Sequence, residues 1–335
     1  MGSFIACIYG YNFNWIFTMH KQLCDNENLP LVTVLVCTFR SSRTVIETLK
    51  SVKAQTYDNI ELIVSDDCSP DDTIEVCSNW LNSNSMRFRH YELVTSELNT
   101  GVSGNINRGA ARGHGKWLKV IAGDDLLTPS AIEDFVSYVT KHPEVRICVS
   151  DVECFSDEGD VPNYVHNKYS SYFILEHESY PEQWKRICRG NIFVGPAYFV
   201  NRELFDEVGG YSAEYGNGEE WPFIYNILKH GNRVYTIDKK LVKYRISFNS
   251  LCRQTDSRGL GNQSLFYSTY NFFFDHPFKD LIRERRYLAA FHYYAFFKSK
   301  KLCFETGNAW YARLLNNMTV YCSPFLFLKK LNIVD

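Results

Sequence analysis

The stretch Leu31-Val-Thr-Val-Leu-Val-Cys-Thr38 decides the fold, because it is a continuous apolar run rich in β-branched residues. Such a run predicts a strand that is buried on both faces of a sheet. Ile60-Glu-Leu-Ile-Val64 has the same character and is followed closely by Asp66 and Asp67. Between the two runs, apolar residues recur at helical spacing: Val45, Leu49 and Val52. This order of strand, helix and strand predicts an α/β fold with a parallel sheet.

The alternation of strands and helices continues along the chain. Further strands are expected near 88–94, 117–121 and 145–149, and further helices near 103–112 and after Thr128-Pro129. Ser69-Pro-Asp-Asp72 is typical of a helix start, with Ser69 as the N-cap. Parallel sheets bind their ligands at the carboxyl ends of the strands. The topology therefore predicts a site near Thr38, Asp67 and Asp124.

Composition and missing motifs exclude several classes of protein. The 36 Lys and Arg nearly balance the 38 Asp and Glu, for a net charge of -2, so no nucleic acid is expected as a partner. Eleven cysteines without a C-x-x-C pair favour reduced thiols in the cytoplasm over a disulfide framework or a zinc site. The motif G-x-G-x-x-G is absent, and the run 110–116 that fits a phosphate loop is followed by Trp117 instead of Ser or Thr.

Two adjacent carboxylates end the fourth predicted strand, in Gly123-Asp124-Asp125. Because no basic residue is next to them in the sequence, they concentrate negative charge at the end of a strand. Cations such as Mg or Mn bind carboxylate oxygens and keep positions open for phosphate oxygens. Alternatively, the two acids cap the helix that follows or are simply solvated. The pair alone does not decide between a metal site and these structural roles.

Several segments, in the same order and spacing, resemble family 2 glycosyltransferases of the GT-A fold. They are Val32-Thr-Val-Leu-Val-Cys-Thr-Phe-Arg40, Val64-Ser-Asp-Asp-Cys-Ser-Pro-Asp-Asp-Thr73, Asn99-Thr-Gly-Val-Ser103 with Asn107, Ala122-Gly-Asp-Asp125, Val208-Gly-Gly-Tyr211, Gly218-Glu-Glu-Trp221 and Tyr244-Arg245. The resemblance covers residues 31 to 250. It implies an α/β fold of the GT-A type, with a mostly parallel sheet, flanking helices and a helical C-terminal region. It also implies a nucleotide-sugar donor, by default a UDP-sugar, and a divalent metal, Mn or Mg.

The resemblance also assigns roles to individual residues. Phe39 would stack on the base of the nucleotide, with a core Phe at a strand end as the structural alternative. Asp67 would accept the N–H of the base ring and leave Asp66 to support the turn. Asp124 would bind the metal that bridges the diphosphate. The nucleotide-sugar-binding set implied in this way is Thr38, Phe39, Asp67, Asn99, Gly101, Asn107 and Asp125.

Three positions depart from the family pattern. The first acid of the D-x-D motif is Ala122 here, so its ribose contact must come from elsewhere. The Arg that usually precedes the motif's Asn is Ile106 here, so position 106 does not supply its phosphate contact, although Arg108 follows Asn107. The E-D pair of the family is Glu219-Glu220.

The implied mechanism is a single displacement that inverts the anomeric carbon. It needs one carboxylate as a base for the acceptor hydroxyl and a cation to stabilise the departing nucleoside diphosphate. Glu220 aligns with the Asp of the family pair and is the expected base, with Glu219 as the fallback. Trp221 would add an apolar wall that raises the pKa of this base. Acids at the start of a helix also have an ordinary structural explanation.

The last part of the chain differs in composition. Residues 279–335 contain ten Lys or Arg against four Asp or Glu, and twelve Phe, Trp or Tyr. Tyr287, Phe291, Tyr294 and Lys298 recur at helical spacing. Basic and aromatic helices suit peripheral contact with an anionic membrane. The alternative, a helical cap packed on the preceding domain, stays open at this point.

Three regions are expected. Residues 1–30 are an N-terminal extension, in which Gly10, Asn12 and Asn14 interrupt an apolar run too much for a membrane span. Residues 31–255 are the GT-A catalytic domain, with a nucleotide-binding half at 31–125 and an acceptor half at 126–255. Residues 256–335 are a helical region rich in aromatic and basic residues.

The sequence thus favours an inverting, metal-dependent glycosyltransferase whose acceptor is a hydroxyl of a glycan or lipid-linked glycan, in bacterial surface polysaccharide or glycolipid synthesis. The expected location is the cytoplasm, at the inner face of the cell membrane. The alternative is a non-catalytic module that binds nucleotide or glycan on the same fold. A nucleotidyltransferase would require a Gly-rich basic loop where this chain has Phe39-Arg-Ser-Ser-Arg43.

Overall fold

The structure is a computed structural model that describes residues 29–161, 178–190, 195–216, 218–247, 262–306, 310, 314, 317 and 323–331. Residues 1–28 of the predicted N-terminal extension and the predicted boundary at 255 lie outside the described residues.

The strands of the described residues form one mixed sheet. They are β1 (Val32–Thr38), β2 (Ile60–Asp66), β3 (Tyr91–Thr95), β4 (Trp117–Ala122), β5 (Leu126–Leu127), β6 (Ile147–Phe155), β7 (Tyr198–Asn201) and β8 (Tyr235–Arg245). Their order across the sheet is β3-β2-β1-β4-β7-β6-β8-β5. The first four pair in parallel, whereas β7 is antiparallel to both of its neighbours. β8 is parallel to β6 and antiparallel to β5. The parallel sheet predicted from the sequence is thus found in the first four strands, whereas the remaining strands form a mixed half.

The α-helices connect the strands and complete the C-terminal region. They are α1 (Val45–Lys53), α2 (Thr73–Asn84), α3 (Gly101–Ala110), α4 (Ala131–Lys141), α5 (Tyr180–Ile187), α6 (Arg202–Glu207), α7 (Glu220–Lys229), α8 (Gln263–Asp275), α9 (Pro277–Arg283), α10 (Tyr287–Thr306) and α11 (Pro324–Lys330). Short 3-10 helices lie at Ser85–Arg87 and Gly195–Ala197.

The predicted start of the second helix is wrong by a few residues. α2 begins at Thr73, with Asp72 as its N-cap. Ser69 does not cap this helix, because its backbone N–H and its hydroxyl both donate to Asp66, at 2.8 and 2.6 Å. The segment that resembles a helix start is therefore the turn between β2 and α2.

The core lies along the two central parallel strands and continues into the mixed half. Every residue of β2 is buried, as is every residue of β1 except Cys37. Phe199 of β7 stacks between Trp117 of β4 and Phe135 of α4, with ring centroids 5.0 and 4.9 Å away. This stack joins the two halves of the sheet. The cysteines of the described residues are free thiols, mostly buried.

One face of the C-terminal helices packs on α7. The ring of Trp221 lies 5.1 Å from that of Phe272 and 6.5 Å from that of Phe297, which belong to α8 and α10. This packing matches the helical cap considered from the sequence. Other aromatic residues of α10 face solvent, since Tyr287 and Phe291 are 58% and 69% exposed. Among the described helices, none combines the length and the apolar character needed to cross a bilayer.

Candidate active site

Three parallel strands end side by side at the candidate site. β1 lies between β2 and β4 in the sheet. Thr38 at the end of β1 is in register with Asp66 at the end of β2, and Cys37 is in register with Ala122 at the end of β4. The structure therefore brings the predicted nucleotide-binding and metal-binding segments to one edge of the sheet, where parallel sheets bind ligands.

Asp66 supports the turn that follows β2. Its carboxylate is fully buried and accepts hydrogen bonds from the Thr38 hydroxyl, at 2.7 Å, and from Ser69. The carbonyl oxygen of Thr38 accepts the backbone N–H of Asp67 at 3.0 Å. Thr38 is thus engaged within the protein on both groups, and it fixes the two turns that carry Phe39 and Asp67.

Asp67 lies against the N-terminus of α3. Its Oδ1 accepts from the Thr100 hydroxyl at 2.6 Å and from Arg108 Nη2 at 3.0 Å, and its Oδ2 accepts from the Gly101 N–H at 2.7 Å. Burial opposes its ionisation, but the hydrogen bonds from Thr100, Arg108 and Gly101 outweigh this and lower the pKa of Asp67. Gly101 has a φ of +76°, a conformation suited to glycine, and this lets its N–H face the carboxylate.

The carboxylate of Asp67 is nearly saturated in this conformation. A carboxylate offers about four acceptor positions, and the Thr100 N–H also donates to both oxygens of Asp67, at 3.0 Å. A hydrogen bond from a nucleotide base to Asp67 therefore requires one of the present donors to move. Arg108, which the sequence left without a role, is the cation that neutralises Asp67.

Phe39 lies at the surface of the turn after β1. Its side chain is 43% exposed, and the guanidinium carbon of Arg40 lies 5.2 Å from the centroid of its ring. The exposure argues against the alternative of a core phenylalanine, because a core side chain in this protein is almost fully buried. An aromatic face at a strand end is able to stack on a base.

Asn99 and Asn107 differ in their surroundings. Asn99 Oδ1 accepts the N–H of Gly101 at 3.2 Å, at the start of α3. Asn107 holds the turn that contains Gly210, because its Oδ1 accepts the Tyr211 N–H at 2.9 Å and its Nδ2 donates to the Tyr211 carbonyl oxygen at 2.7 Å. Both polar atoms of the Asn107 amide are therefore used within the protein.

The loop with Asp124 and Asp125 is fixed from two sides. On one side, the hydroxyl of Thr48 in α1 donates to the Asp125 carbonyl oxygen at 2.8 Å. On the other, Arg245 at the end of β8 donates its backbone N–H to Asp125 Oδ1 at 2.8 Å and its Nε to the Asp124 carbonyl oxygen at 2.7 Å. The guanidinium of Arg245 is itself held by Glu47 at 2.6 Å and by Asp157. Arg245 belongs to the motif Tyr244-Arg245, but its role is not predictable from the sequence.

Burial and mutual repulsion disfavour ionisation of these two neighbouring carboxylates. Burial raises the pKa of Asp124. Burial, and then the charge of Asp124, raise the pKa of Asp125 well above its usual range. A bound dication reverses such shifts, because it becomes the largest local charge.

These residues would bind a divalent metal only if a ligand supplied part of the coordination. Among the described residues there is no group of three His, Cys, Asp or Glu side chains that could hold a metal. The protein would thus supply Asp124, with Asp125 behind it, and phosphate or water oxygens would complete the coordination. Such a donor set, made only of oxygen, suits Mg or Mn.

A buried lysine that the sequence reasoning missed lies beneath the site. Lys119 of β4 is fully buried and donates to the carbonyl oxygens of Pro196 and of Tyr198, the latter at 3.0 Å. Burial lowers the pKa of Lys119 to about 7. The signal in the sequence is a charged residue inside an otherwise apolar strand. Lys119 fixes the 3-10 helix Gly195–Ala197, which contacts Glu220.

Glu220, the expected base, is the first residue of α7. Its Oε1 accepts the Gly195 N–H at 3.0 Å. A Cβ at position 195 would lie 2.8 Å from this oxygen, so a larger residue there would push the Glu220 carboxylate out of its present position. Trp221, the next residue, is buried, and its predicted effect on the pKa of Glu220 stays a prediction.

Glu219, the fallback base, is the N-cap residue of α7. Its Oε2 is buried and has no hydrogen-bond partner among the residues that the structure describes. Burial raises the pKa of Glu219. The two carboxylates therefore differ, because one oxygen of Glu220 is held by a backbone N–H while Glu219 has a free oxygen and a raised proton affinity.

Comparison with known proteins agrees with this geometry. Residues 33–209 match the family model described as Glycosyl transferase family 2. Over 230 residues the chain is 26% identical to a protein of Haemophilus influenzae named "Uncharacterized glycosyltransferase", an alignment that covers 67% of this chain and 68% of the relative.

Two solved structures have a similar fold. TarS 1-349 of S. aureus, in complex with UDP-GlcNAc, has a TM-score of 0.55 at 15% identity, covering 82% of this chain and 73% of that chain. The mannosyltransferase PcManGT of Pyrobaculum calidifontis, in complex with GDP-Man and Mn2+, has a TM-score of 0.55 at 17% identity, covering 92% of both chains. The sheet is thus that of the GT-A fold. Because the matched family segment spans more than half of the chain and includes the strand ends with Asp67 and Asp124, the chain belongs to glycosyl transferase family 2 and is a glycosyltransferase.

Proposed function

We propose that this glycosyltransferase is metal-dependent and inverting, and that it transfers a sugar from a UDP-sugar to a hydroxyl of a glycan acceptor. The observation that carries the proposal is the pair Asp124 and Asp125, two neighbouring carboxylates with raised pKa values at the edge of the sheet that also presents Phe39. Two proteins of similar fold were solved with UDP-GlcNAc and with GDP-Man and Mn2+, which supports a sugar nucleotide bound together with a metal.

The donor nucleotide would lie over the ends of β1 and β2. In this arrangement the exposed ring of Phe39 stacks on the base, and Asp67 accepts the N–H of the base after one of its present donors moves. Asn99 and Gly101 form the turn beside Asp67, and Asn107 keeps the turn at Tyr211 in place. Hydrogen bonds from Thr100, Arg108 and Gly101 keep Asp67 ionised, so that both of its oxygens are acceptors.

The diphosphate would lie at the end of β4. Asp124, with Asp125 in support, would hold a metal, and that metal would supply positive charge against the departing diphosphate. The protein's own part is to keep these carboxylates in place, and Thr48 and Arg245 do this through the hydrogen bonds described above.

The acceptor hydroxyl would be deprotonated by Glu220. As the proton moves to Glu220, the hydroxyl oxygen forms a bond to the anomeric carbon, and the bond from that carbon to the diphosphate oxygen breaks with inversion. A single carboxylate suffices, whereas a double displacement with retention would also need a nucleophile. Glu219 is the second candidate, supported by its raised pKa and its unpartnered oxygen.

The acceptor in this proposal is a glycan or lipid-linked glycan used in bacterial surface polysaccharide or glycolipid synthesis. We also propose that the protein works in the cytoplasm, at the inner face of the cell membrane. The exposed aromatic residues Tyr287 and Phe291 of α10, together with the basic residues before them, support a position at a lipid surface.

A thermal-shift panel with UDP-, GDP- and dTDP-sugars, each with and without Mn2+, tests the proposal. A ligand at about 100 times its Kd stabilises a protein by about 2.7 kcal/mol, and we expect this for a UDP-sugar only when the metal is present. Slow hydrolysis of the same donor would distinguish the enzyme from a module that only binds. Stabilisation without any hydrolysis or transfer would favour the non-catalytic alternative, and no shift with any donor would refute the proposed site.

A further inference from the structure

The N-terminal end of α10 forms a cationic cavity outside the donor site. The cavity has a volume of about 520 Å³, and its lining includes Lys185, Arg285 and Arg286 against one acid, Glu284. The carboxylate of Glu284 is partly used, because its Oε1 accepts from the Trp184 indole N–H at 2.5 Å. The lining therefore carries an excess of positive charge.

The guanidinium of Arg286 is the least satisfied group of this cavity. Its side chain is only 12% exposed, yet its Nε and Nη2 are buried without a hydrogen-bond partner among the described residues. Its Nη1 reaches Glu284 at a long 3.5 Å. Buried donors of this kind are costly unless a ligand or water accepts from them. A charged acceptor with several oxygens would satisfy them.

The N-terminal end of α10, which directly follows the same arginines, also favours a bound anion. The helix has 20 residues and no acid in its first turn. Basic residues immediately before a helix N-terminus are unfavourable, because the helix dipole places positive charge there as well. Arg285 also has a φ of +58°, which costs energy for a residue with a side chain. An anion at this position would balance the two arginines and the helix end together.

The surroundings of the cavity indicate what carries the anion. Tyr287 and Leu288 line it and are 58% and 44% exposed, and Phe291, one turn further along α10, is 69% exposed. Ile282 on α9 is 42% exposed. These apolar side chains would contribute nothing to the binding of a free phosphate ion. A lipid in a bilayer presents a phosphate group directly beside apolar chains, which such side chains can contact.

We propose that this cavity binds the phosphate headgroup of an anionic membrane lipid, with Arg285, Arg286 and the N-terminus of α10 on the phosphate and with Tyr287, Leu288 and Phe291 in the interface. The site shares no residue with the donor site, so it does not depend on the proposed chemistry. It would hold the protein at the bilayer with a defined orientation rather than through diffuse charge.

Vesicle co-sedimentation of the full chain tests the proposal. The protein should bind vesicles made of equal parts phosphatidylglycerol and phosphatidylcholine, and bind phosphatidylcholine vesicles weakly. A basic residue near an anionic surface contributes about 1 kcal/mol, so Arg285→Asn should weaken binding roughly fivefold, and adding Arg286→Gln roughly 30-fold in total. Asn suits the positive φ of position 285, so this variant keeps the turn.

Lys279→Gln is the matched control, because it removes one exposed positive charge of α9 that does not line the cavity. We expect less than a twofold loss. If Lys279→Gln weakens binding as much as Arg285→Asn, the contact is diffuse and the proposed site is wrong. Unchanged affinity for the donor nucleotide in all variants would show that they fold.

Phe291→Ser distinguishes a lipid from a soluble phosphate compound. This variant should bind the anionic vesicles several-fold more weakly, because an exposed apolar side chain that enters the interface is lost. Inorganic phosphate, compared at matched ionic strength, should stabilise the wild-type protein little. If phosphate stabilises the protein strongly through Arg286 while Phe291→Ser binds vesicles normally, the ligand is a soluble phosphate and the lipid proposal fails.

Discussion

The substitution Glu220→Gln examines the base of the proposed mechanism while leaving its surroundings intact. Glutamine retains a carbonyl oxygen that accepts the Gly195 N–H, so the loop contact at 3.0 Å persists and little folding free energy is lost. What disappears is the proton acceptor. General base catalysis contributes about 10²–10⁴ in rate, which corresponds to roughly 3–5 kcal/mol of transition-state stabilisation.

Glu219→Gln is the matched comparison, since adjacent residues of a helix point about 100° apart and only one faces the anomeric carbon. We expect less than about a tenfold loss of kcat for this variant, well below the range for a general base. Steady-state kcat with saturating donor, together with the donor Kd from calorimetry, separates chemistry from binding. Donor affinity should be nearly unchanged in both variants.

The outcomes are distinct. If Glu219→Gln is the slower enzyme, the base is Glu219, in agreement with its raised pKa and unpartnered oxygen. If neither substitution lowers kcat, no carboxylate of this pair removes the proton and the proposed mechanism is refuted.

Three further predictions concern the metal, the base of the nucleotide and pH. Asp124→Asn should abolish the Mn2+-dependent thermal shift, because an amide is a poor ligand for this cation. In the presence of EDTA it should raise Tm, because it relieves the repulsion within the acid pair. A normal Mn2+ response would show that the metal binds elsewhere. Phe39→Ala should raise the donor KM more than it lowers kcat without lowering Tm, since the ring is 43% exposed, and unchanged nucleotide affinity would exclude stacking. Burial raises the folded-state pKa of Glu219, so its contribution to stability falls as pH rises from the ordinary glutamate range through that raised pKa. Glu219→Gln should therefore have a higher Tm than the wild type at neutral pH, and the gap should close at acid pH.

The parallel half of the fold could be predicted because its strands are mainly apolar and alternate with helical patterns, and β1 and β2 lie where the sequence places them. The turn at Ser69 could not, because Ser, Pro and Asp favour a helix start and a turn alike. Ser69 forms a turn because Asp66, with which it is hydrogen-bonded, is held in place by a contact distant in sequence, to the Thr38 hydroxyl.

Within the site, the sequence identified the carboxylates but not the residues that hold them. Asp67 and Asp124 are recognisable from their motifs. Their partners Arg108, Thr48 and Arg245 act through contacts that depend on the fold, and Asn107 turned out to bind a neighbouring turn with both ends of its amide. Local patterns identify chemical groups, whereas the partners of those groups come from tertiary structure.

The contact of Trp221 with Phe272 and Phe297 has a consequence for engineering. Because α7 begins with the candidate base and is packed on α8 and α10, the C-terminal helices are not a tail that can be exchanged freely between related enzymes. A chimera that replaces residues 262–306 would need side chains that pack on Trp221 as Phe272 and Phe297 do. The same contact predicts that the part of the chain with the sheet and the C-terminal helices melt in one calorimetric transition, because neither can lose its packing without exposing the other.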